Sequence, residues 1–204
     1  MVMHRQRAAA TSATLLVAWV FVSMTVLAET GEVESADNSV SVEAIAVLHS
    51  CSDPEREVGV AVLQEAESKE GVKVVSFDLA IDDPELAAGQ HGVHIHETGA
   101  CKPCGAAKGH FDPGPNSNSS PDGNHPFHMG DLVNIAIDEA GQGKLNVIST
   151  RITLSPGPLS IFDADGSAVI VHVNADSYCP LGEEAGCAGG ARAACGVITT
   201  SDSP

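Results

Sequence analysis

His94 and His96 stand two apart in the stretch His91-Gly92-Val93-His94-Ile95-His96-Glu97. Successive side chains of a β-strand point to opposite faces, so these two imidazoles share one face, about 6.6 Å apart along the strand. Imidazole is the commonest side-chain ligand for transition metals near neutral pH. Two on one strand face, with Val93 and Ile95 directed to the other, make half of a metal site on a rigid backbone. Taken alone, the spacing fits two half-exposed histidines on a polar sheet face equally well. Downstream, further histidines close segments: Gly109-His110-Phe111-Asp112-Pro113, His128-Met129-Gly130-Asp131-Leu132, and Val169-Ile170-Val171-His172, with Asp176 four residues on.

Strands must position these side chains. Residues 42–49, 57–64 and 72–80 are rich in Val and Ala, with partial alternation such as Val58, Val60 and Val62, and clusters of Ser, Asp, Pro and Gly separate them. After the histidine strand come 132–138, 144–152 and 168–173, and no helical period of useful length is present. Two long non-repetitive stretches, 97–127 and 174–190, are full of Gly, Pro, Asn, Ser and Cys; loops of that length in a compact domain are usually functional. The expected fold is all-β, an antiparallel sandwich or barrel whose long loops carry the chemistry.

The first 28 residues read as a signal peptide: Arg5 and Arg7, an apolar run from Leu15 to Leu27, and cleavage expected after Ala28. The run is short for a bilayer span, so no membrane insertion is expected after cleavage. Residues 29–39, rich in Glu, Ser, Asp and Asn, read as a disordered leader, and residues 40–204 as one domain. Removing the signal leaves eight basic against 27 acidic residues, a formal charge of −19. Such a chain is a poor partner for nucleic acid, which demands clustered Lys and Arg. Six cysteines in an exported, oxidising setting read as up to three disulfides.

The histidine segments, together with Gly189-Gly190-Ala191-Arg192-Ala193-Ala194-Cys195-Gly196-Val197-Ile198, resemble copper/zinc superoxide dismutase of the exported bacterial kind over nearly all of residues 41–198. The resemblance implies a Greek-key, immunoglobulin-like sandwich or flattened barrel with two long functional loops. It implies copper on His94, His96, His110 and His172, with a Cu(II)/Cu(I) cycle turning superoxide into dioxygen and hydrogen peroxide. Four nitrogen donors suit Cu(II) independently. Zinc would take His110 as a shared ligand, with His128 and Asp131. The remaining histidine is expected eight residues after His110, where Asn118 stands, and the interval to His128 is one residue longer than the family pattern. His125 is the spare histidine that could complete the set; otherwise three ligands hold zinc more weakly, or the protein uses copper alone. Asp176 matches a carboxylate that orients one copper and one zinc histidine. Arg192 matches the cation that guides superoxide, with Lys102 and Lys108 adding a modest field. His91 and His49 are read as structural.

By the same resemblance Cys195 pairs with Cys101, favoured over Cys104. Cys179 and Cys187 could staple the second loop, leaving Cys51 for Cys104, while a Cys101-x-x-Cys104 redox or zinc motif is the rival reading. The expected function is periplasmic or secreted dismutation of superoxide that protects the cell envelope, with a homodimer left open. The alternative is a non-catalytic exported protein that binds or stores copper. Storage needs the imidazoles but neither a substrate-guiding Arg192 nor a bridging Asp176.

Overall fold

The computed structural model describes residues 42–114 and 118–201; the expected signal peptide and leader lie outside them. Strands β1 (Val42–Ser50), β2 (Glu57–Glu67) and β3 (Lys73–Asp82) form an antiparallel meander that β7 (Gln142–Ser149) continues on its outer side. On the other side of β1 lie β9 (Arg192–Val197), β8 (Ala168–His172) and β5 (Val93–His96), so the sheet runs β5-β8-β9-β1-β2-β3-β7. The two-residue strand β10 (Thr199–Thr200) also pairs with β1. A separate ribbon pairs β4 (Gly89–His91) with β6 (Ile135–Ile137). This is the antiparallel all-β sandwich expected, curled around one core.

Alternation drives the curl. Ala44, Ala46 and Leu48 of β1, Phe77, Leu79 and Ile81 of β3, Val169 and Val171 of β8, and Ile135 and Ile137 of β6 are buried in one cluster. Burying side chains of this size contributes about 1.5–3 kcal/mol each for the larger ones. Strand β2 departs from the simple pattern: Val58 is buried, but then Ala61 and Leu63 point inward while Val60 and Val62 are only half-buried. A register shift between Leu48 and His49 puts His49 opposite Glu57 and Leu48 opposite Gly59. One extra residue reverses which side chains face the core.

Element ends also differ from the sequence reading. The histidine stretch is two strands, because β4 joins the small ribbon while β5 joins the main sheet. Leu132 stands outside β6, and a short 3-10 turn (Cys104–Ala107) lies within the first long loop. A third long connection, 150–167, carries no histidine of its own, and Glu65 of β2 holds it by accepting from the Leu154 and Ser155 amides at 2.6 and 2.9 Å.

Candidate metal centre

Strand β5 supplies the first two imidazoles. Val93 and Ile95 enter the core, and His94 and His96, both fully buried, lie on the other face beneath the loops. The free edge of β5 is taken by the first loop. Ile95 donates to Gly130 O and accepts from Phe111 N, both at 2.9 Å, and isolated bridges pair His96 with His110 and His94 with Asp131. A Cβ at Gly130 would lie 2.3 Å from Ile95 O, so only glycine allows this approach. His172 ends β8, and Arg192 opens β9 directly opposite it in the register.

The hydrogen bonds of the rings decide which nitrogens remain. His94 Nε2 lies 3.0 Å from Asp176 Oδ2, His96 Nδ1 2.9 Å from Lys108 O, His172 Nδ1 2.9 Å from Gly190 O, and His110 Nδ1 2.7 Å from Asp131 Oδ1. The opposite nitrogens (His94 Nδ1 and the Nε2 atoms of His96, His110 and His172) are buried with no hydrogen-bond partner. One nitrogen from each of these four residues lies within 4.8 Å of the others. Buried polar atoms without partners are costly; four aimed at one point fit a metal ion. Burial is the leading cause that lowers the pKa of His110 to about 4 and of His172 to about 3, and His96 also lies well below the usual range. Neutral imidazole is the ligating form.

A second cluster adjoins the first through His110. Its Nδ1, facing Asp131, lies on the side opposite the free Nε2. His125 Nδ1 is 3.1 Å from Asp131 Oδ2, out of line for a hydrogen bond, and His128 Nδ1 is 3.0 Å from the same oxygen. His94, His110, His125 and Asp131 also form a possible ligand group on distance alone. His94 has its Nε2 on Asp176 and its Nδ1 in the first cluster, while His128 stands beside this group with its Nδ1 on Asp131. His125 Nε2 is 2.8 Å from Asp176 Oδ2, the oxygen that also meets His94. Burial lowers the His125 pKa, but the Asp131 and Asp176 carboxylates outweigh it and raise the value to about 9. Both carboxylates are held below their ordinary range by these histidines. Two carboxylates closing on one imidazole favour positive charge there, which a divalent cation supplies.

Asn118 turns the loop, accepting from Ser120 N at 3.2 Å. His91 sits between two carbonyls, those of His172 at 2.9 Å and Ala87 at 2.8 Å, and His49 lies on β1 away from both clusters. Arg192 donates to the carbonyls of Cys104 and Lys108, and no carboxylate pairs with it among the described ion pairs. Lys102 and Lys108 are paired with Glu55 and Asp165 at 3.3 and 3.5 Å, which reduces the field expected from them. The disulfides are Cys101–Cys195, Cys51–Cys104 and Cys179–Cys187, so Cys101 and Cys104 do not pair with each other.

Three positioning groups were not anticipated. Arg151 grips the carbonyls of His128 and Asp131. Asn134 holds Asp176 through its backbone, donating to Asp176 O at 2.9 Å and accepting from its N at 2.7 Å. Asp122 accepts from Gly186 N and Ala188 N, joining the two long loops. Each is a single polar residue whose partner is distant in sequence, and no local pattern marks it.

The model of the copper/zinc superoxide dismutase family (SODC) matches residues 57–198. A Superoxide dismutase [Cu-Zn] of Deinococcus radiodurans is 38% identical over 134 residues, covering 59% of this chain and 69% of that one. One from Brucella abortus is 32% identical over 155 residues, covering 71% and 80%. Among solved structures, a double mutant of a SOD-like protein from Bacillus subtilis has a TM-score of 0.54 at 31% identity, covering 74% of this chain and 94% of that one. The clock protein EA4 has a TM-score of 0.55 at 30% identity, covering 78% and 95%. With the family model spanning most of the domain, and with two adjoining histidine clusters built as such a centre requires, the chain belongs to the copper/zinc superoxide dismutase family.

Proposed function

We propose that the protein is an exported enzyme that dismutes superoxide in the cell envelope or outside it. Copper would be held by His94, His96, His110 and His172, and zinc by His110, His125, His128 and Asp131. The observation that carries this reading is the set of four free, buried ring nitrogens converging on one point, with Arg192 on the strand beside them. Copper, when bound, would supply one-electron oxidation of one superoxide to dioxygen and one-electron reduction of the next, which takes up two protons from water to leave as hydrogen peroxide.

The residues supply the rest. Lys108 O, Gly190 O and Asp176 fix the orientation and tautomer of His96, His172 and His94, so each presents a lone pair inward. His110, with one nitrogen toward each cluster, can carry a proton at the nitrogen facing the copper side. Arg192 holds a permanent positive charge, paired with no carboxylate among the described residues, to draw an anion to the site against a strongly acidic body. That unpaired guanidinium favours the enzyme over a copper store, which gains nothing from it.

The test is metal analysis of the purified protein alongside a dismutase assay. About one copper per chain and dismutase activity are expected, and His172→Ala should lose at least 100-fold in activity while keeping its circular dichroism spectrum. Full activity in that variant removes His172 from the copper set; a copper-loaded wild type without activity points to storage.

A further inference from the structure

Two disulfides hold the first loop, and they grip different parts of it. Cys101–Cys195 ties the loop to the middle of β9, three residues after Arg192. Cys51–Cys104 ties the end of β1 to the start of the 3-10 turn Cys104–Ala107. Arg192 meets this second bridge on the Cys104 side, and its neighbour Ala193 meets it on the Cys51 side. Its guanidinium donates to Cys104 O, and Cys51 N donates at 2.8 Å to the carbonyl of Ala193, the next residue. The other guanidinium nitrogen donates to Lys108 O, which also accepts from His96 Nδ1. Both acceptors lie on or just after a four-residue turn that lacks a side-chain N-cap. So short a turn does not hold its own shape. Cys51 and Cys104 pack, half-buried, on Ala107, Ala168, Ile170 and Cys195, which anchors the turn to β8 and β9.

We propose that Cys51 and Cys104 are positioning residues for anion capture: their disulfide fixes the carbonyl that aims the Arg192 guanidinium. The inference rests on the copper reading above. Among the described residues no carboxylate orients it, so the guanidinium takes its direction from those two carbonyls, and freeing Cys104 lets one of them swing. The bridge thus acts on substrate capture through Arg192, while Cys101–Cys195 secures the loop as a whole.

The test uses azide as the probe anion on copper-loaded protein, with the pair removed together as C51A/C104A so that no lone thiol remains. Azide affinity and dismutase rate at low salt are both expected to fall about 3- to 30-fold, as for a charged group displaced from its working geometry. Copper content and the Cu(II) electron paramagnetic resonance spectrum should stay unchanged. In an Arg192→Ala background the same removal should alter azide affinity no further, a result that a merely structural bridge does not give. Unchanged azide affinity in C51A/C104A, or an equal loss with and without Arg192, overturns the proposal. C51V/C104V fills the vacated space should the first pair misfold; failure of both to give folded, copper-loaded protein assigns the bridge to overall stability and also overturns it. A wild type that binds copper and azide but lacks dismutase activity sinks the proposed function while leaving this measurement intact.

Discussion

At the scale of single residues, what matters is which ring nitrogen each histidine has left over. His125 shows this most clearly, because nothing in its surroundings Asn124-His125-Pro126 distinguishes it from a surface loop residue. It is buried between Asp131 and Asp176, and its Nε2 shares with His94 the Asp176 oxygen that ties the two clusters together. His125→Ala should therefore lower zinc content and melting temperature together, because metal binding and loop ordering are coupled. Copper content should fall less, since His94 retains its Asp176 partner. Metal analysis and calorimetry on the same preparation check this; a variant that keeps full zinc removes His125 from the site.

At the scale of elements, loops do the positioning and covalent or charged anchors hold the loops. Removing the Cys101–Cys195 bridge should destabilise the domain by roughly 2–5 kcal/mol, read by denaturant unfolding of the doubly substituted protein. The 150–167 connection has a different anchor. Burial raises the Glu65 pKa, but hydrogen bonds from Ser155 and Leu154 and the charge of Lys73 overcome this and leave it below the ordinary value. A carboxylate depressed in the folded state stabilises fully above its unfolded pKa and loses that contribution as the pH falls toward the folded value. Glu65→Gln should thus cost about 1–3 kcal/mol at neutral pH and flatten the acid side of the stability profile below about pH 4.3. An equally steep acid limb in the variant contradicts this.

Over the whole molecule, a formal charge of −17 for the full sequence opposes the approach of an anion, and Arg192 must act against it locally. Salt of about 0.15 M screens beyond about 8 Å, so it weakens the long-range repulsion more than the attraction at contact. Arg192→Glu reverses the local term and leaves both terms repulsive. Its dismutase rate should fall well below that of the wild type at low salt and should rise with ionic strength, while the copper spectrum barely changes. A variant as fast as the wild type at low ionic strength shows that Arg192 does not guide substrate.

The sequence by itself determined the strand face of His94 and His96, because the two-residue period of a strand leaves no other arrangement once Val93 and Ile95 enter the core. It also determined the all-β class, through short β-branched runs cut by turn residues, and the family resemblance marked His110, His172, Asp176, Arg192 and the Cys101–Cys195 pair. Tertiary structure alone decided how the second cluster closes: loop 97–127 folds back so that His125, and not the residue at position 118, meets Asp131. It alone placed Arg151 and Asn134, whose partners lie 20 to 42 residues away. The inward face of β2 was also hidden, because a bulge at Val58, opposite the Leu48–His49 step of β1, switches its phase. The reason is common to these cases. Periodicity and turn chemistry act over a few residues, whereas a loop's path is set by hydrogen bonds and disulfides to strands far along the chain.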